Sequence, residues 1–151
     1  MLKTRLRLLL PALWAGVLLC IALIATPAPF ATLPTADAGR VVGHIFAREA
    51  YLALVLGVVL LLLERDAAQR DAGRGQGSVF SIDMMLALGT LFCTVAGYFA
   101  LQPMMTAART GQGAASFAVL HGVSLAFFGL KIVLVGALAW RRSAGAGVAA
   151  A

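Results

Sequence analysis

Charge is what this sequence has least of. Only 12% of its 151 residues are Asp, Glu, Lys or Arg, and six residues in all are acidic. A water-soluble domain of this length covers itself with roughly a quarter charged residues, so a soluble globule is excluded as the natural reading. Cysteine is almost as scarce: Cys20 and Cys93 stand alone inside apolar runs, which excludes a disulfide scaffold and any thiolate cluster at zinc-like spacing. Two histidines, His44 and His121, are too few and too far apart in sequence for a metal motif. There is also no nucleophile and base pair, carboxylate dyad or phosphate-binding glycine loop, so catalysis is not expected and no catalytic residue, metal site or cofactor is assigned.

What the chain does have is apolar length: 62% of it is hydrophobic and its mean hydropathy is +0.95. The pattern predicts helices over about 8–26, 36–63, 84–102 and 115–140, each long enough to cross a hydrocarbon layer of ~30 Å. Pro27 and Pro29 are expected to end the first helix, Pro34 to bound the loop after it and Pro103 to stop the third. Thr35 or Asp37 can cap the second helix and Ser81 or Asp83 the third. Residues 64–83, with Gly73, Gly75 and Gly77, read as a helix extension and then a flexible turn, and the tail SAGAGVAAA carries no motif. The expected fold is therefore an all-α membrane protein, a four-helix transmembrane bundle forming one domain over 1–151. The basic start and the following TPAPFA also fit a cleavable signal peptide, but Trp14 and the length of the apolar run favour a retained helix. Leu19 before Cys20 argues against a lipoprotein.

Position explains the net charge of +6 better than a nucleic-acid partner does. Lys3, Arg5, Arg7, Arg65, Arg70, Arg74, Arg141 and Arg142 flank alternate membrane ends, while Arg40 and Arg109 fall in the two opposite connections. Under the positive-inside rule this places both termini and the middle loop of a multi-pass protein in the cytoplasm.

Ionisable groups inside apolar segments are costly and mark candidate sites. Counted from the inner anchors, His44 is nineteen residues before Leu63, His121 nineteen before Trp140 and Gln102 eighteen after Met84. At ~1.5 Å per residue all three reach the outer boundary, which predicts a polar layer there facing the bundle. Arg48 lies one turn from His44, in position either to line that layer or to snorkel outward. Thr90, Thr94, Tyr98 and Gln102 recur every fourth residue, a stripe that interhelical hydrogen bonding would also explain, and His121, Ser124 and Lys131 share a face of the last helix. Lys131 lies ~13.5 Å and Glu49 ~21 Å above the inner anchors, and a helical side chain leans toward its N-terminus, so the two can pair. The candidate ligand-binding set is His44, Arg48, Glu49, Tyr98, Gln102, His121, Ser124 and Lys131. Gly39, Gly43, Gly57 and Gly97 are expected to mark close helix contacts.

Trp14-Ala-Gly16, Ala38-Gly39, Phe46-Ala-Arg48 and Leu120-His121-Gly-Val-Ser124 resemble the bacterial relatives of eukaryotic transmembrane protein 205, a four-helix membrane family of unknown function. The likeness runs from Leu8 to Trp140. It implies a four-helix, multi-pass protein of the bacterial cytoplasmic (inner) membrane and supplies no substrate.

The favoured expectation is a binding or transport-related bundle whose outward-facing polar cavity takes a small anion or polar solute. A second is an accessory subunit or assembly factor of a membrane complex, in which the polar groups specify packing. A third is a redox protein holding haem or copper between His44 and His121, with Met104 or Met105 available for copper. The lipid bilayer is the one partner expected in every case, with a homo-oligomer or a membrane-complex partner left open.

Overall fold

The computed structural model describes residues 2–148, with side chains through 144, and the end of the tail lies outside the described residues. Four helices make up nearly all of it: α1 (Leu2–Thr32), α2 (Thr35–Gly73), α3 (Ile82–Arg109) and α4 (Phe117–Val148), with no strand among the described residues. All four are long and apolar enough to cross a membrane. The chain is thus an all-α bundle with the architecture of a multi-pass membrane protein.

Short connections force neighbours to run antiparallel, and the chain closes into a ring in which α1 packs on α2, α2 on α3, α3 on α4 and α4 on α1. Across the diagonals, α1 with α3 and α2 with α4, no Cα atoms approach within 8 Å among the described residues. One end of the bundle carries the start of α1, the end of α4 and the α2–α3 connection; we call it the terminal end, and the opposite one the distal end. Gly75 (φ 73°) and Gly77 (φ 98°) shape the α2–α3 connection and Gly111 (φ 74°) the turn after α3, in left-handed conformations that a Cβ would oppose. Ser81 caps α3, its hydroxyl accepting the Met84 N–H at 3.2 Å. No side chain caps α2, which starts directly behind Pro34, and Asp37 pairs with Arg40 instead.

The prolines do not end α1 and α3 as their sequence suggests. Both helices run on, and each contains a π-turn just before its proline, Ile21–Ala25 ahead of Pro27 and Val95–Ala100 ahead of Pro103. A proline ring clashes with the carbonyl four residues back, here Leu23 and Phe99, and lacks the N–H that would have bonded it. Both carbonyls lie inside the widened turns, where the extra residue shifts the ladder and relieves the clash. The helix continues past the proline.

The core draws from every helix: Trp14 and Leu18 of α1, Ala53 and Leu60 of α2, Ala87 of α3, and Val135 and Leu138 of α4. In lipid, close packing rather than exclusion of water holds such a core together, and small residues set how near the helices come. A Cβ on Gly97 would lie 2.5 Å from Phe127 Cβ, and one on Gly57 would lie 2.6 Å from Leu91 Cδ2. Gly39 and Gly43 differ from expectation, since a Cβ on either would meet nothing within 4 Å. They lie toward the distal end, where the ring is open.

Candidate functional site

Because α2 and α4 face each other across a diagonal, only long side chains can join them. Glu49 and Lys131 do so: Lys131 Nζ donates to both Glu49 carboxylate oxygens, at 2.7 and 2.8 Å, and the side chains are 3% and 4% exposed. The ammonium also stands 5.0 Å from the Phe128 ring centroid, and Phe128 meets Phe46 of α2 edge-on at 5.0 Å. The pair and the aromatic contact together bridge the middle of the bundle.

A second charged group closes the terminal end. Arg7 of α1 donates to both oxygens of Glu64 on α2, at 3.1 and 2.7 Å, and Arg142 of α4 bonds the same carboxylate. Arg142 also meets Asp83 of α3 at 2.6 Å, as does Arg141. Glu64 is fully buried, and every helix contributes to the cluster. Sequence reasoning treated these arginines only as membrane anchors and missed their joint role. The available signal was the placement of acids at the terminal ends of α2 and α3, level with arginines on α1 and α4. Outside this cluster, Lys3–Asp66 and Arg70–Asp66 are exposed surface pairs.

At the distal end the polar residues expected to form an inward layer are not buried. His44, Arg48, Gln102 and His121 are all exposed, and His121 lies flat against Phe117 with ring centroids 5.6 Å apart. For Gln102 the cause is the π-turn, which adds a residue and rotates everything after it. Thr90 and Thr94 remain buried, with hydroxyls donated back to the carbonyls of Ala87 and Thr90 at 2.7 and 2.9 Å, while Tyr98 is half-buried and Gln102 has turned outward. Ser124 is spent on packing, donating to the Gly97 carbonyl at 2.8 Å and tying α4 to the π-turn of α3. Cys20 is exposed and Cys93 buried, both as free thiols.

What the distal end has instead is a cleft. The last segment of α3, Leu101–Arg109, packs on α4 and nowhere approaches α2 among the described residues. The space so opened is a cavity of about 410 Å³ lined by Thr35, Ala36, Gly39 and Arg40 of α2 and by Arg109 of α3. Arg109 stands 4.5 Å above the Phe117 ring and has no carboxylate partner among the described residues, so its charge is oriented but uncompensated. Arg40 holds Asp37, in an exposed pair one helical turn apart. Two guanidinium groups thus border a cavity with one nearby acid.

Residues 9–114 match the family model described as a domain of unknown function, DUF4149. The chain belongs to this family. No curated protein and no solved structure matches it. The matched stretch holds α1 from residue 9, α2 and α3, all five residues lining the distal cleft, and Glu49, while Lys131, Ser124 and His121 lie beyond it on α4. Nothing in the match links the chain to transmembrane protein 205, so the family level reached is an uncharacterised domain with a membrane-protein-like helical structure.

Proposed function

We propose that this DUF4149 protein is a binding module of the bacterial cytoplasmic membrane that takes a small anionic group in the cleft at its distal end, on the extracytoplasmic side. The observation that carries the reading is the cavity bordered by Arg40 and Arg109. Guanidinium groups are suited to phosphate or carboxylate oxygens, which they can bond in pairs. The exposed Arg40–Asp37 pair stabilises by no more than ~1 kcal/mol, so an incoming anion can replace it. Orientation rests on the eight basic residues that flank the terminal end against two at the distal end.

Binding is favoured over conduction by what lies beneath. Below the cleft, the Glu49–Lys131 bridge and the shared core occupy the axis that a solute would have to follow. Purified protein in neutral detergent tests the reading by thermal unfolding in sodium phosphate against sodium chloride at matched ionic strength. Phosphate should stabilise with the logarithm of its concentration above the dissociation constant, by ~2.7 kcal/mol at one hundred times that constant. Arg109→Gln should remove that response. An equal effect of chloride, or an undiminished response in the variant, defeats the proposal.

A further inference from the structure

We infer that the anion is the phosphate of an anionic glycerophospholipid, held between Arg40 and Arg109 with an acyl chain laid along the α2–α3 seam; this rests on the preceding reading and names its ligand. Depth is the first support. The Arg7–Glu64–Arg142–Asp83 cluster marks one membrane boundary. Arg40 lies twenty-four residues beyond Glu64 and Arg109 twenty-six beyond Asp83, or ~36 and ~39 Å along their helices. A hydrocarbon layer is ~30 Å thick and the whole bilayer ~40–45 Å, so both guanidinium groups lie in the opposite headgroup layer, where lipid phosphates are.

The surface beneath the cleft is the second support. Tyr51 is thirteen residues from Glu64, ~20 Å up and inside the hydrocarbon, yet 64% exposed. It meets Phe99 of α3 edge-on at 5.4 Å, and Phe99 meets Tyr98 at 5.2 Å. Val55, one turn further down, is also exposed. An aromatic and aliphatic seam therefore descends from the cleft between α2 and α3, open to lipid. Arg48 stands between the two levels, ~24 Å up, and its stem can carry the guanidinium toward the headgroups. A soluble anion would use the arginines alone; a lipid uses the arginines and the seam. Charge selects among lipids, because Arg40, Arg48 and Arg109 face a single acid, Asp37.

The test uses full-length protein in phosphatidylcholine nanodiscs carrying a trace of phosphatidylglycerol or of phosphatidylcholine, each with a photoactivatable acyl chain, followed by peptide mapping of the cross-links. The phosphatidylglycerol probe should label the peptides holding Tyr51, Val55 and Phe99 on the order of tenfold more than the phosphatidylcholine probe, a difference of ~1.4 kcal/mol. Arg40→Gln with Arg109→Gln should make the probes equal. Gly39→Leu, which fills the cleft where a Cβ meets nothing, should do the same without removing charge. Equal labelling in the unaltered protein, or a preference that survives both variants, overturns the inference. Stabilisation by inorganic phosphate without any lipid preference would overturn it while leaving the anion-binding reading standing, whereas loss of both responses removes both.

Discussion

Removing one partner of the Glu49–Lys131 bridge tests whether the middle of the bundle is held by a charge pair or by packing alone. Lys131→Met leaves a carboxylate that is 3% exposed with no other hydrogen-bond donor among the described residues. Glu49→Gln leaves an ammonium that keeps an amide oxygen in reach and the Phe128 ring beside it. Breaking a buried pair costs on the order of 3–5 kcal/mol, whereas replacing both partners is often close to neutral. The lysine change should therefore be the more damaging. At ~2–4 °C per kcal/mol for a chain of this length, it should lower the unfolding midpoint by on the order of 10 °C. The double variant should recover most of that loss. Thermal unfolding of all four proteins in one detergent closes the cycle. Single effects that simply add, to within ~0.5 kcal/mol, would show that the two side chains do not depend on each other and would refute the bridge.

Gly97→Ala should destabilise by ~1–3 kcal/mol, and more than Gly57→Ala, because the new methyl meets Phe127 Cβ, which cannot rotate away, rather than the tip of Leu91; chemical denaturation of the two variants decides it. Glu64→Gln should lower the unfolding midpoint strongly by leaving Arg7 without its carboxylate, whereas Asp66→Asn on the exposed surface should change stability by less than ~1 kcal/mol. Gly39→Leu should abolish stabilisation by phosphate without lowering the midpoint in chloride, since it grows into the cleft from a position where a Cβ meets nothing within 4 Å.

Helix number, approximate span and the Glu49–Lys131 pairing were legible in the sequence because each rests on a count: apolar length for the spans, rise per residue for depth. Exposure of the distal groups was not legible, because it depends on rotation about the helix axis, and one π-turn changes rotation while barely altering depth. Thr90 and Thr94 precede the π-turn and keep the buried positions that their spacing implies, whereas Gln102 follows it and does not. The terminal cluster was hidden for another reason. Glu64 and Asp83 sit at segment ends, where an acid ordinarily meets water, and only the ring order of the helices brings Arg7 and Arg142 onto them.

The same stretch that obscures the third helix in the sequence borders the cleft. The π-turn precedes Pro103, the segment after it, Leu101–Arg109, packs on α4, and the separation from α2 leaves the space that Arg40 and Arg109 border. Ser124 and Gly97 hold that course, one by bonding a carbonyl within the turn and the other by admitting Phe127 against the backbone. Closure below follows from opposite requirements. A charge in the hydrocarbon must find its partner, so Glu49 and Lys131 draw α2 and α4 together across the diagonal. Charges at the headgroup level carry no such obligation and can remain uncompensated. A bundle that is bridged at mid-depth by Glu49 and Lys131 and open at its distal face is therefore what these groups produce.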